Sequence, residues 1–370
     1  MAARNVMLMT RTLGHGGTER QLAETALSLD PATFTPHVAC VEGTGFRAEE
    51  LRRNGIPILE LPITSLKDPR SLPLLARFVG YMRQHSIDLL HSFDTSTNFL
   101  AAPAAKLPGC PVVLTSQRCF ENVIWPAHRK LNRLAHRLAD GVVANCNAVA
   151  RHLREDFGVP AAKIHICRNG LDTSVFHPGT EADEKPEALR DAELTIGSVS
   201  VLRPEKSLGT LVSAFALVKD VRPGLKLAIV GSGPVREELE RQARELGIAE
   251  QCLFHPATHD VAMWLRAIDV FVLPSISEAF SNSLMEAMAC GCAAVASNVG
   301  GNPELVRNGE TGLLFTPGDA ESLAGQLRAL VLDDEARTRM AHAGAEWVAA
   351  NLSREVSARR MAEIYQGYLD

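Results

Sequence analysis

The stretch Val270-Phe-Val-Leu273-Pro-Ser-Ile-Ser-Glu278-Ala-Phe-Ser-Asn-Ser-Leu-Met-Glu286-Ala-Met-Ala-Cys-Gly291 joins an apolar run, a polar loop and a helical run that a glycine ends. The apolar run suits a strand covered on both faces, as in a parallel α/β sheet. Its loop then lies at a strand's carboxyl end, where open sheets of this kind bind ligands. Phe280-Ser-Asn-Ser-Leu leads into the helix, so an anion placed there would meet the amides of Ser281 to Ser283. Glu278 sits in the loop and Glu286 in the early helical turns, so both can face one ligand. Ser283-x-x-Glu286 is also a capping box, which offers Glu286 a purely structural role. Glu278 has no such alternative.

The same strand-then-helix rhythm fills the chain on either side. Strands are expected at 5–9, 37–41, 57–61, 88–91, 111–115 and 141–145, then at 194–200, 225–230, 251–254, 269–273, 293–296 and 312–315. Amphipathic stretches such as Thr18 to Leu29 and Leu72 to His85 lie between them. Such alternation implies parallel sheets covered by helices. The rhythm pauses over 177–192, an acidic stretch without apolar periodicity that reads as a linker. The expected organisation is an N-terminal domain over 1–176, the linker 177–192, and a C-terminal domain over 193–352. A terminal amphipathic helix, 353–370, carries Val356, Met361, Ile364, Tyr365 and Leu369 and is expected to pack back on the first domain.

Two strand-to-helix turns are rich in glycine: Gly14-His-Gly16-Gly17-Thr-Glu19 and Gly231-Ser-Gly233-Pro. Glycine lets backbone approach a phosphate, and the following helix start directs amides at it. Neither turn has the third small residue of a dinucleotide fingerprint, since Glu19 and Arg236 occupy that place. A plain turn explains either one equally well. Arg203 and Lys206, just after the strand 194–200, could neutralise a diphosphate, one through its fork and the other as a point charge. As a bare pair they also suit a solvated loop.

Composition bounds the rest. The chain has 370 residues, 46% hydrophobic and 22% charged, enough for two domains with their own cores. No stretch reads as membrane-spanning and the apolar start is too short for a signal sequence, so a cytoplasmic protein is expected. The eight cysteines lack metal-ligand spacing and read as reduced, buried thiols. No metal site and no cofactor are expected. Residues 1–175 hold 20 Lys/Arg against 15 Asp/Glu, and the remainder 18 against 28. The basic half suits an anionic partner or a membrane surface, and no nucleic-acid partner is expected.

Taken together, these segments resemble the large retaining family, family 4, of nucleotide-sugar glycosyltransferases with the GT-B fold, and the likeness covers essentially the whole chain. It implies an α/β protein of two Rossmann-like domains facing a cleft. Gly16 and Gly17 are similar to the family's glycine loop before the donor phosphates, and Gly231 and Gly233 to its turn beside the nucleotide. Asn169-Gly-Leu-Asp172 resembles its hinge-side turn. Arg203 and Lys206 match its diphosphate-binding cations. Glu278 and Glu286 stand at its Glu-x7-Glu spacing, which implies that Glu278 meets hydroxyls of the donor sugar and Glu286 those of the ribose. Phe280, Ser281 and Asn282 fall in the same donor-binding motif, and Gly300-Gly-Asn-Pro-Glu304 resembles the turn that follows. Glu278, Arg203 and Lys206 are thus the expected catalytic set.

The resemblance further implies a retaining, metal-independent sugar transfer in polysaccharide or glycoconjugate synthesis. No Asp-x-Asp occurs, so cations and amides must stabilise the leaving diphosphate. A uridine diphosphate sugar is the expected donor, and a glycan, a lipid-linked group or a small molecule the expected acceptor. His91 matches a frequent family position near substrate. Arg118 stands where many members carry a histidine, and it is expected to hold an acidic or phosphorylated acceptor. Residues 118–137 gather Arg118, Arg129, Lys130, Arg133 and Arg137 with His128 and His136, with Phe120 and Trp125 at their start. They are the expected place of peripheral contact with the inner membrane face, against an ordinary helix 126–138 with a solvated basic side. Three other readings remain: an NAD(P)-linked oxidoreductase, a sugar-nucleotide epimerase and a non-enzymatic sugar-nucleotide sensor, the last disfavoured by the intact cation and glutamate sets.

Overall fold

The computed structural model describes residues 3–63, 68–106, 111–120, 126–180 and 185–370, and the chain forms two compact units. The first unit comprises Met1–Gly170 with Arg354–Asp370, and the second Leu171–Ser353. The division falls between Gly170 and Leu171, ahead of the break expected at 176/177. Local bonding gives the reason. Leu171 N donates to Leu352 O at 2.9 Å and pairs with Ser353 in an isolated bridge. Arg266 Nη2 donates to Val175 O at 3.0 Å. The expected linker is therefore part of the second unit, with Leu189 fully buried in a short 3-10 turn.

In the first unit, β1 (Arg4–Thr10), β2 (Phe34–Cys40), β3 (Ile58–Glu60), β4 (Leu89–Ser92), β5 (Val112–Gln117), β6 (Gly141–Ala144) and β7 (Ile164–Ile166) form one sheet. Its order is β3-β2-β1-β4-β5-β6-β7, with every pair parallel. The connecting helices are α1 (Gly17–Ser28), α2 (Phe46–Arg53), α3 (Ser71–Gln84), α4 (Thr95–Ala101), α5 (Pro126–Leu138) and α6 (Asn147–Glu155). Strand alternation splits the core into two layers. Val6 and Leu8 pack on one face with Leu22 and Phe34, while Met7 and Met9 pack on the other with Phe78 and Met82.

The second unit carries β8 (Leu194–Val199), β9 (Leu225–Val230), β10 (Cys252–His255), β11 (Val270–Leu273), β12 (Ala293–Ser297) and β13 (Gly312–Phe315), all parallel in the order β10-β9-β8-β11-β12-β13. Its helices are α7 (Leu208–Ala216), α8 (Arg236–Glu245), α9 (Val261–Arg266), α10 (Asn282–Ala289), α11 (Asn302–Leu305), α12 (Ala320–Leu332) and α13 (Asp334–Asn351). Strands β8, β11 and β12 are buried along their whole length, as apolar strands covered on both faces should be. The last helix, α14 (Arg354–Leu369), belongs to the first unit, where it packs on α1 and seats Met361, Ile364 and Tyr365 in the core. Among the described residues no helix is long and apolar enough to cross a membrane.

Burial sets the acid stability of the first unit. Desolvation holds His136 at a pKa of about 3, and it holds His91 well below the usual imidazole value, with the Arg118 charge adding to the effect. Both rings stay neutral when folded and charge when unfolded. Their contribution is complete above about pH 6.5 and is lost as pH falls toward the folded values, at roughly 1.4 kcal/mol per pH unit for each ring. The urea midpoint should therefore drop steadily from pH 7 to pH 5. A midpoint that stays flat over that range would contradict this assignment.

Candidate functional site

The order of the second sheet reverses between β8 and β11. From β8 the chain runs outward through β9 to β10, then returns to β11 on the other side and runs out through β12 to β13. Ligands of open α/β sheets bind outside the carboxyl ends of the strands at such a reversal. Arg203 and Lys206 lie on the loop after β8, and Glu278 lies on the loop after β11.

The loop after β8 is held tightly. Leu202 N donates to Ser232 O at 3.0 Å, and Val235 N donates to Leu202 O at 3.3 Å. A Cβ on Gly231, whose φ is +151°, would lie 1.9 Å from Ser200 O, and one on Gly233 would lie 2.2 Å from Leu202 O. These two glycines, expected beside the nucleotide, are thus required by close packing of two backbones. That packing presents Arg203, whose side chain is exposed and 3.9 Å from Glu205. A 3-10 turn, Pro204–Lys206, follows and stops at Ser207, held at φ 49°. Ile276 N donates to Glu205 O at 3.0 Å, tying this turn to the loop after β11.

Across that tie, Lys206 Nζ donates to Glu278 Oε1, forming an ion pair with both side chains mostly shielded from solvent. Ser275 Oγ donates to the same oxygen at 3.0 Å. Two expected catalytic residues, 72 positions apart, are therefore in direct contact. Phe280 and Ser281 are buried just before α10. Ser281 caps the helix, its Oγ accepting from Leu284 N at 3.3 Å. Asn282 is the first helical residue, so the positive end of the helix dipole faces this loop. The capping box is corrected: with Ser281 as the cap, Glu286 lies two positions beyond the third helical residue that a box would use. Glu286 is nevertheless buried, at 7% exposure.

Three residues of this network escaped the sequence reading as functional candidates: Ser275, Ser297 and Asn302, all fully buried. The available signal was a small polar residue at the end of an otherwise apolar strand, as in Ala293-Ala-Val-Ala-Ser297.

In the first unit, Gly16 is the extended cap of α1 and Gly17 its first residue. Thr12 Oγ1 donates to Glu19 Oε1 at 2.6 Å. A Cβ on Gly16 would meet that carboxylate at 2.0 Å, so glycine makes room for Glu19 to fold back over the turn. His91 is fully buried, with Nδ1 2.7 Å from Tyr365 Oη and Nε2 2.8 Å from Ser116 Oγ, so both ring nitrogens have interior partners. Arg118 is partly turned inward as well. Its guanidinium lies 4.8 Å above the Phe93 ring, and Nη1 donates to Asn169 Oδ1 at 2.8 Å.

The basic stretch separates by face. On α5, Arg129, Lys130, Arg133 and Arg137 are exposed, and so are Leu131 and Leu134 at 45% and 53%. Asn132, Ala135 and His136 face the interior. His136 Nδ1 is 2.9 Å from Thr115 Oγ1, so it is not part of the basic surface. Phe120 sits edge-on to His152. Trp125 and the His128 side chain lie outside the described residues.

Burial raises the Cys290 thiol to about 12 and Cys292 well above its usual value. Thiols so placed are poor nucleophiles. No cluster of three or more His, Cys, Asp or Glu suited to a metal ion occurs among the described residues.

Comparison with known proteins covers both units. Residues 15–175 match the family described as Glycosyltransferase Family 4, and residues 179–347 match Glycosyl transferases group 1. A D-inositol 3-phosphate glycosyltransferase of Thermomonospora curvata is 36% identical over 251 residues, which are 63% of this chain and 58% of that protein. The match therefore spans little more than half of that relative. A GDP-mannose-dependent alpha-(1-6)-phosphatidylinositol monomannoside mannosyltransferase of Mycobacterium tuberculosis is 29% identical over 77% of each chain. HepE of Anabaena, crystallised with UDP, shares the fold at a TM-score of 0.85 and 20% identity, covering 98% of this chain and 100% of its own.

Proposed function

Because the chain belongs to the family 4 glycosyltransferases, with the GT-B pair of Rossmann-like domains, we propose that it transfers a sugar from a nucleoside diphosphate to an acceptor with retention of anomeric configuration. The observation that carries this reading is the meeting of Lys206 and Glu278 where the order of the second sheet reverses. Lys206 and Arg203 neutralise the leaving diphosphate, together with the positive end of α10; such charge stabilisation is often the largest catalytic term. Glu278 receives hydroxyls of the donor sugar, and Glu286 those of the ribose. These groups supply the stabilising charge themselves, so the transfer proceeds without a metal. The NAD(P)-linked oxidoreductase and epimerase readings fall away with the family assignment.

The experiment is release of nucleoside diphosphate from UDP-glucose and from GDP-mannose, with and without acceptor lipids, in the presence of a strong chelator. Release that depends on acceptor and ignores the chelator is expected. Complete loss on chelation, restored by magnesium or manganese, would refute the metal-free route. A uridine donor is expected to serve best. Preference for GDP-mannose would instead carry over the donor named for the mycobacterial relative.

The acceptor is proposed to be phosphate-bearing and lipid-linked. Support comes from the basic first half of the chain and from the phosphorylated inositols in the relatives' names. On α5 the exposed Leu131 and Leu134 adjoin Arg129, Lys130, Arg133 and Arg137, a combination suited to an anionic membrane surface. Binding to anionic vesicles at low salt should weaken as salt rises, and the triple reversal Arg129→Glu, Lys130→Glu and Arg133→Glu should abolish it. Equal binding to neutral vesicles would remove the electrostatic part of this proposal.

A further inference from the structure

Ser275, Ser297 and Asn302 are polar yet fully buried at the carboxyl edge of the second sheet. Burying a hydroxyl or amide costs free energy unless its hydrogen bonds are made. Here the bonds run in one direction. Asn302 Nδ2 donates to Ser297 O at 3.0 Å and to Ser297 Oγ at 3.4 Å. The single hydroxyl proton of Ser297 goes to Ser275 O at 2.5 Å, so Ser297 Oγ meets Asn302 as an acceptor. Ser275 Oγ in turn spends its proton on Glu278 Oε1 at 3.0 Å. The Lys206 ammonium donates to that same oxygen.

Both protein donors to Glu278 therefore hold Oε1. Among the described residues none holds Oε2, and the Glu278 side chain keeps 12% exposure. The geometry points to Ser275, Ser297 and Asn302 as positioning residues for Glu278. Their relay fixes the backbone of Ser275, aims its hydroxyl at Oε1, and leaves Oε2 presented to a hydroxyl of the bound sugar. Chains of such bonds polarise one another in a buried setting, which stiffens the whole arrangement. This inference rests on the nucleotide-sugar reading above. It adds that selection of a nucleotide sugar over the bare nucleoside diphosphate depends on residues that touch neither.

Calorimetric titration of the full chain with UDP-glucose, UDP, GDP-mannose and GDP tests this. Ser275→Ala and Ser297→Ala should each weaken the nucleotide sugar about threefold to tenfold, the scale of one lost hydrogen bond. The matching nucleoside diphosphate should change less than about twofold, since the diphosphate contacts are untouched. Ser275→Thr, which keeps the hydroxyl, should restore most of the loss. In a chain already carrying Glu278→Ala neither alanine should matter further, because no acceptor remains to be aimed. Equal weakening of both ligands, or the same loss when Glu278→Ala is already present, would reduce the three residues to scaffold. A wild-type chain that binds none of the four compounds would overturn both this inference and the nucleotide-sugar reading.

Discussion

Lys206→Ala should lower the turnover of sugar transfer by about a hundredfold to a thousandfold, the scale seen when one preorganised transition-state donor is removed. The Lys206 side chain is mostly shielded, whereas Arg203 is exposed and should cost nearer tenfold. Removing Lys206 also leaves Glu278 without its counter-charge at the place where a diphosphate must enter, so donor affinity should fall as well. Stability should also fall, because removing the ammonium leaves a mostly shielded carboxylate without its counter-charge. The measurement is kcat for nucleoside diphosphate release beside a urea melt. Full turnover in a normally folded Lys206→Ala variant would remove the ion pair from the mechanism.

Gly233→Ala should destabilise the second unit by about 3 kcal/mol or more, a cost reserved for backbone strain or comparable disruption. The added methyl would lie 2.2, 2.6 and 2.8 Å from O, C and N of Leu202, and all three are backbone atoms. No flexible side chain stands in the way that could swing aside. Relief requires the 200–207 loop to move, which would carry Arg203 and Lys206 with it and weaken donor binding too. Gly325→Ala is the control. It lies within α12 with no atom inside 4 Å of the added methyl, so it should stabilise by about 0.5–1 kcal/mol. Denaturant midpoints for the two variants moving in opposite directions is the expected result. A neutral Gly233→Ala would mean that these loops do not hold the close approach described.

The α/β fold was legible because its central strands are buried on both faces. Val270-Phe-Val-Leu273 and Ala293-Ala-Val-Ala-Ser297 stand out as apolar runs for that reason. Strand β7 did not stand out, since Ile164-His-Ile166 has three half-buried residues at the sheet's edge and little periodicity to read. The candidate residues could be picked out one by one, but their assembly could not. Arg203, Lys206 and Glu278 could each be assigned to a strand's carboxyl end. Their convergence depends on β8 lying beside β11, a property of topology that no local pattern encodes. The surroundings of His91 were equally hidden. Its place at the end of β4 suggested substrate, yet the partner that buries it, Tyr365, comes from the terminal helix 274 residues away. The glycines of 231–233 were read for what they could admit, when the nearer cause was the loop already lying against them.

A nucleotide sugar is expected to bind where the second sheet's strand order reverses. Hydrogen–deuterium exchange on the full chain, with and without saturating UDP-glucose and GDP-mannose, tests it directly. Slowed exchange should concentrate in residues 200–207 and 274–286, where the loops after β8 and β11 and the start of α10 meet. Protection confined to other segments, with these two unchanged while the nucleotide sugar is bound, would contradict the account.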